Sequence, residues 1–324
     1  MTNNDFGRCV VCGGAGVQVL FAVETHFREY QVIQCNKCKL SRTYPLLNYD
    51  SIPEAAISEY YGKSSNKFLP ILQIARNWIM RSRVRNCLQF ISDVVEKPKV
   101  LDVGCAEGRF LNAFFEYGCE CWGVEHPFFP SKRFLNRDGI FYQVGDLCEI
   151  NLPDKAFNLI IIWHVLEHLD DPHQVMRRLY ELLAPNGVIF LAVPNFSSIE
   201  ARKFLQSWFH LDIPWHKYHF NDKSIKYMTS KNNLIIMKMS TRCLEQGVYG
   251  LIQSILNAMG WKRNEFYEAL KGNMMLSRIF HLIVQLYIVI LLIMPGFLVS
   301  TLTSAIGKGP VLKLILKKNN DGMD

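Results

Sequence analysis

The sequence has no internal repeat and no low-complexity tract, which excludes repeat architectures and wholesale disorder. Its polar start, Met1-Thr2-Asn3-Asn4-Asp5, lacks the apolar stretch of a secretory signal, so none is expected. A strong charge of one sign is missing too: the net charge of +7 admits an anionic partner without requiring one. Neither a phosphate-cradling P-loop nor a Gly-x-Gly-x-x-Gly dinucleotide fingerprint is present. Disulfide spacing is likewise lacking. Of the 10 cysteines, four form two Cys-x-x-Cys pairs, and Cys87, Cys105, Cys119, Cys121, Cys148 and Cys243 are scattered through apolar segments. That usage points to reduced thiols in a cytoplasmic setting.

What is there is globular in kind. Half of the residues are hydrophobic (49%) and a fifth are charged (20%), and 324 residues can hold one large domain with smaller appendages. Residues 1–50 carry the cysteine pairs. Residues 51–98 read as a helical connector, with Ile71, Ile74, Trp78 and Ile79 at helical spacing until Pro98 breaks the pattern. From 99 to 245, strand-like runs (Val100–Val103, Cys121–Val124, Phe141–Val144, Leu159–Trp163, Val188–Val193) alternate with helical ones (Arg109–Tyr117, His173–Leu183). Apolar runs separated by helices predict a parallel sheet covered on both faces. Residues 246–324 read as a C-terminal helical region.

The most informative segment is Val100–Phe110, Val-Leu-Asp-Val-Gly-Cys-Ala-Glu-Gly-Arg-Phe. A strand runs into a turn holding Gly104 and Gly108, which let the backbone approach a ligand closely, and a helix follows. Ligands of open α/β sheets lie at the carboxyl ends of the strands. Asp102, just before the turn, repels a pyrophosphate but suits a sulfonium cation with an amino-acid tail. Glu125, closing the next strand, suits the two hydroxyls of a ribose.

Gly123-Val124-Glu125, Gly145-Asp146, Leu166-Glu167-His168-Leu169 with Asp171-Pro172, and Leu183-x-Pro185-x-Gly187 then follow in order. With the glycine turn, this set resembles the class I S-adenosylmethionine-dependent methyltransferases, of the branch that includes ubiquinone-biosynthesis enzymes, over about residues 95–244. The resemblance implies a Rossmann-like, doubly wound, mostly parallel seven-stranded sheet of the α/β class, with S-adenosyl-L-methionine as cofactor. It also implies that Asp102, Gly104 and Gly108 line the methionine end, with Cys105 and Ala106 contributing backbone. Glu125 would bind the ribose and Asp146 the adenine amino group. Ala106 replaces a frequent glycine of the family, and Asn158 stands where it often has Asp, so Asn158 is assigned no role.

Cys9-x-x-Cys12 and Cys35-x-x-Cys38 are separated by 22 residues. Two such knuckles can place four thiolates around a structural Zn²⁺ with no open position for chemistry, and the metal would let a segment with a thin core fold. Redox pairs are the other reading of the same spacing. The pattern resembles the small zinc-ribbon heads found before bacterial methyltransferases of this branch.

Methyl transfer is an in-line displacement from sulfur, and an oxygen acceptor can also need a base. His164, Glu167 and His168 follow the fourth strand of the series: His164 as a base, the three as metal ligands, or all as braces of the loop. Phe196–Phe220 carries Phe204, Trp208, Phe209, Trp215 and Tyr218, and reads either as an acceptor wall or as packing over the sheet edge. Within it, His216 and His219 are further general-base candidates near neutral pH.

The span Ile279–Ile306 contains no Asp, Glu, Lys or Arg and is flanked by Arg278 and Lys308. Its first apolar run ends at Met294, about 24 Å as a helix against the ~30 Å of a hydrocarbon core. Pro295-Gly296 then interrupts. An interfacial hairpin at the membrane, one kinked transmembrane helix, and a buried helical pair or dimer interface all fit. The combined expectation is an S-adenosylmethionine-dependent O-methyltransferase at the cytoplasmic face of the membrane. Its acceptor would be a small molecule, a glycan or a lipid-linked intermediate. An RNA methyltransferase gripping RNA through the cysteine module is the first rival, but basic residues are not concentrated there. A non-catalytic cofactor-binding partner protein is the second.

Overall fold

The computed structural model describes residues 6–25, 28–48, 52, 70–91, 96–127, 137–270 and 278–319. In chain order the elements are β1 (Val17–Glu24), β2 (Glu29–Cys35), β3 (Ser41–Tyr44), α1 (Pro70–Leu88), β4 (Lys99–Val103), α2 (Arg109–Glu116), β5 (Glu120–Glu125) and β6 (Ile140–Val144). There follow β7 (Phe157–Trp163), α3 (Pro172–Leu182), β8 (Leu183–Pro194), α4 (Ile199–Phe204), β9 (Tyr218–His219), α5 (Asp222–Lys231) and β10 (Leu234–Ser240). The last four are α6 (Leu244–Ala258), α7 (Glu265–Leu270), α8 (Ile279–Ala305) and β11 (Val311–Lys318). Within the span read as a helical connector, α1 covers Pro70–Leu88, and 53–69 and 92–95 lie outside the described residues.

The chain divides into two compact units, one of residues 69–192, 228–239 and 314–324, the other of 1–68, 193–227 and 240–313. The first is built on a seven-stranded sheet in the order β10-β11-β8-β7-β4-β5-β6, with every pair from β8 through β6 parallel. The Rossmann-like sheet expected from the sequence is therefore the fold. Its central strand β7 (Phe-Asn-Leu-Ile-Ile-Ile-Trp) is buried along almost its whole length, as a strand covered on both faces must be. On one face α2 presses Phe110, Leu111 and Phe114 into a cluster with Val100, Cys121, Leu159 and Ile161. The Asp171-Pro172 pair starts α3: Asp171 Oδ1 accepts from the amides of His173 (2.9 Å) and Gln174 (3.0 Å), and proline fills the first turn, where it needs no donor.

From β4 the chain runs outward through β5 and β6, then returns to add β7 and β8 on the other side of β4. This reversal opens a crevice beyond the carboxyl ends of β4 and β7, where ligands of such sheets bind. One expectation needs correction. Residues 311–318, read as part of a helical C-terminal region, form β11 inside the main sheet, where their apolar run is buried along almost its whole length between β10 and β8.

In the second unit, β1, β2, β3 and β9 make an antiparallel sheet, with Ser41 of β3 opposite His219 of β9. The apolar tail does not fold into a hairpin at Pro295-Gly296: the helix runs unbroken through both as α8, with Pro295 on its exposed side. Its buried residues are Gln285, Gly296, Ser300 and Thr303, and it packs on α6, where a Cβ on Gly247 would overlap Ser300 Oγ. The outward side carries Phe280, Tyr287, Ile290, Met294 and Leu298, with Met294 75% exposed.

Glu200, in the first turn of α4, is buried at 2% exposure, and neither carboxyl oxygen has a hydrogen-bond partner among the described residues. Burial pushes it up to about 8. With an unfolded value near 4.3, the folded state keeps a proton that the unfolded chain loses as pH rises between these two values. Stability therefore falls with rising pH there, by about 1.4 kcal/mol per unit from this group. Glu200→Gln is expected to remove that slope and to be the more stable protein at pH 8, measured by denaturant unfolding from pH 5 to 8; parallel curves for the two proteins would refute the assignment.

Candidate active site

The turn after β4 is held by its own backbone. The Gly104 amide donates to Val124 O (2.8 Å) and the Gly108 amide to Cys105 O (2.8 Å). Gly104 has φ +71°, and a Cβ there would overlap Val165 Cγ2. Gly108 (φ 75°) caps α2. Ala106, in the frequent-glycine position, takes φ 49°, a left-handed conformation that its methyl group tolerates at a cost of about 1–2 kcal/mol.

Two acids face this turn from adjacent strands. Asp102 lies opposite Gly123 in the β4–β5 ladder, and Glu125 ends β5. Glu125 accepts from the Ala106 amide through Oε2 (2.6 Å) and from the His126 amide through Oε1 (2.8 Å), so the carboxylate braces the turn. Both groups are buried. Burial first, and the neighbouring charge of Glu125 second, hold the Asp102 carboxyl well above the usual carboxylate range. Burial raises Glu125 as well, against the two amides that favour its charged form. A pair of desolvated acids is short of positive charge, the environment a cationic ligand supplies. Cys105 is buried beside them, its thiol pushed up by burial and by the two carboxyls. Asp146, after β6, is exposed at the carboxyl edge, with Oδ1 on the Cys148 amide (2.7 Å).

His164 follows β7 with φ 55°, a strained backbone of the sort found where function dictates conformation. Its amide donates to Ala192 O (2.9 Å), and Nδ1 lies 3.1 Å from Oε1 of the fully buried Glu167. Glu167 thus orients the ring, with the tautomer Nδ1–H leaving the lone pair on Nε2. Asn158, assigned no role from the sequence, has one: its Oδ1 accepts from the Lys99 amide (2.9 Å) and ties the starts of β4 and β7. That signal was unreadable without the strand pairing.

His216 and His219 belong to the other unit. Thr43 Oγ1 donates to His216 O (2.7 Å) and lies 3.1 Å from His219 Nε2, while His216 Nδ1 lies 3.0 Å from His210 O. Burial pushes His219 down to about 3, so it is a poor proton acceptor near neutral pH. In the same unit the sulfurs of Cys9, Cys12, Cys35 and Cys38 lie within 4.8 Å of one another, with Cys9–Cys38 at 3.5 Å and Cys12–Cys35 at 3.4 Å. They are free thiols, too far apart for disulfides. Gly13 turns at φ +67° and returns its amide to Cys9 O (2.8 Å), as the Lys39 amide does to Cys35 O (3.0 Å). Four converging sulfurs on two such knuckles fit a tetrahedral thiolate ion.

A cation bound between Asp102 and Glu125 favours their ionised forms, so uptake of such a ligand releases protons. Affinity for S-adenosylmethionine, measured calorimetrically at two pH values, is expected to be greater at the higher one, where these raised carboxyls are more ionised. Asp102→Asn should weaken it at least tenfold, about 1.4 kcal/mol, and flatten that rise. Equal affinity at both pH values in the unaltered chain would count against the acid pair.

Residues 78–238 match a family model described as a methyltransferase domain. A ubiquinone biosynthesis O-methyltransferase of Haemophilus ducreyi is 32% identical over 120 residues, 34% of this chain and 51% of that protein. Another, from Bartonella tribocorum, is 22% identical over 197 residues, 56% of this chain and 80% of the relative. The chain spans about half the length of several of the curated relatives it matches. A solved SAM-dependent methyltransferase from Archaeoglobus fulgidus overlaps 75% of this chain and 94% of its own at TM-score 0.44 and 20% identity. Sequence motifs, sheet order and family match converge on one conclusion: the chain carries, over residues 78–238, a class I S-adenosylmethionine-dependent methyltransferase domain.

Proposed function

We propose that this protein moves the methyl group of S-adenosyl-L-methionine to a hydroxyl oxygen of a glycan or lipid-linked acceptor at the cytoplasmic face of a membrane. The observation that carries the reading is the strained, Glu167-oriented His164 at the carboxyl end of β7, in a sheet whose neighbouring strands β4 and β5 present the acid-lined glycine turn. The cofactor supplies an electrophilic methyl group on a sulfonium. Asp102, Gly104, Cys105, Ala106 and Gly108 would hold its amino-acid end, Glu125 the ribose hydroxyls and Asp146 the adenine amino group. His164, its ring held through Nδ1 by Glu167, would take the proton of the acceptor hydroxyl on Nε2 as that oxygen is methylated. The products are the methyl ether and S-adenosylhomocysteine. His216 and His219 have the positioning role in this reading, shaping the aromatic segment instead of taking the proton.

The membrane part of the proposal is supported by α8, whose polarity is inverted. Only 11% of its most apolar window is buried. Small and polar residues face the protein and large apolar ones face out, the arrangement that suits a lipid surroundings and close helix packing. At 27 residues α8 is about 40 Å long, and Arg278 and Lys308 at its two ends suit anionic headgroups. The same face on one side of a helix held against α6 favours an in-plane position over a spanning one.

We assign a structural zinc ion to Cys9, Cys12, Cys35 and Cys38. Purified protein should contain one zinc per chain by elemental analysis, and Cys35→Ser should lose it and unfold at lower temperature; a metal-free native chain of equal stability would rule the ion out.

The function itself is tested with methyl-labelled cofactor and membrane extract. Label should enter the lipid-extractable or polysaccharide fraction with the unaltered protein, and His164→Ala should lower the rate by about 10²–10⁴ at unchanged cofactor affinity. Label confined to RNA, or full activity in His164→Ala, would overturn the proposal.

A further inference from the structure

A cavity of about 420 Å³ lies wholly within the unit that carries the cysteine cluster. Its size is that of a small-molecule site. Leu20, Phe21 and Leu205 give it an apolar wall, and Lys39, Arg202 and Lys223 line it with positive charge. Leu20 and Leu205 are 37% and 44% exposed, large apolar side chains left open to water beside the cations.

Three features mark this as a built site. First, its charge is uncompensated: no described carboxylate pairs with Lys39, Arg202 or Lys223. The one lining acid, Asp222, lies 3.4 Å from Ser197 Oγ. Second, the cations stand on fixed backbone. Lys39 directly follows Cys38 at φ 63°, its amide bound to Cys35 O and its carbonyl to the Asn221 side chain, while Asn221 Oδ1 also accepts from the Lys223 amide (3.0 Å). Arg202 rides on α4, whose start is capped by Ser198 Oγ on the Ala201 amide (3.0 Å). Third, Leu205 is held at φ 45°, a costly conformation for a bulky residue and one that concentrates at ligand sites.

We propose that this cavity binds a phosphate-bearing amphiphile, the phosphate among Lys39, Arg202 and Lys223 and the apolar part on Leu20, Phe21 and Leu205. The inference stands independently of methyl transfer. Guanidinium and ammonium groups on separate elements match the spread acceptors of a phosphate, and an apolar wall adds what inorganic phosphate cannot use. The source is either a lipid headgroup or a soluble phosphate ester.

The test uses the full chain and calorimetric titration with octyl phosphate below its aggregation limit, with octanol and inorganic phosphate as the two half-ligands. Octyl phosphate should bind at least tenfold more tightly than either. Arg202→Glu with Lys223→Glu, both exposed positions, should weaken it at least tenfold while the unfolding midpoint and S-adenosylmethionine affinity stay unchanged. Equal binding of octanol would overturn the phosphate role, equal binding of inorganic phosphate the apolar role, and an unaffected double variant the site itself. Sedimentation with phosphatidic acid vesicles separates the sources: loss of binding in the double variant assigns a lipid headgroup, and retention assigns a soluble ester.

Discussion

Two buried carboxyl groups at the ends of adjacent parallel strands set the terms for the rest of the first unit. Asp102 and Glu125 cost energy where they stand, because burial disfavours their charged forms and neither is matched by a described basic residue. The fold offsets part of that cost with main-chain donors: Glu125 takes the amides of Ala106 and His126 and in doing so fixes the curve of the glycine turn. The remaining deficit of positive charge suits a cationic ligand. Gly104, Ala106 and Gly108 all turn at positive φ, which sets the tight curve of the loop.

The second unit reverses the usual rule of polarity in one element. A helix that joins a soluble core normally buries its large apolar side chains. In α8 the buried stripe is Gln285, Gly296, Ser300 and Thr303, and Gln285 Nε2 reaches Glu265 Oε2 at 2.8 Å. Close approach to α6 is possible because Gly247 has no side chain opposite Ser300. Dispersion between backbones holds the pair together and leaves the apolar bulk outward, an arrangement stable where the surroundings are themselves apolar.

The cysteine module is joined to later sequence through β9, whose Tyr218 and His219 complete its sheet. The same module supplies Leu20, Phe21, Gln34 and Lys39 to a cavity whose other residues come from 196–223. The knuckle around Cys35 and Cys38 therefore positions a cation as well as sulfurs.

The sequence alone determined the parallel sheet and the glycine turn after β4. The five strand-like runs from Val100 to Val193 all lie within β4 to β8; for strands buried on both faces, such as β4 and β7, apolar residues must run along the length and that signal is local. Asp102, Gly104, Gly108 and Glu125 were legible for a related reason: special backbone angles and buried charge restrict the residue type directly. What only the tertiary structure decided rests on partners far apart in the chain. β11 lies beside β8 although more than a hundred residues separate them, and no periodicity announces such a pairing. A two-residue strand such as β9 is too short to carry a period at all. Pro295-Gly296 reads as a break, yet α8 runs through it, because packing against α6 outweighs the lost hydrogen bond. The basicity of His219 was equally beyond the sequence, since it is set by how much water the finished fold excludes.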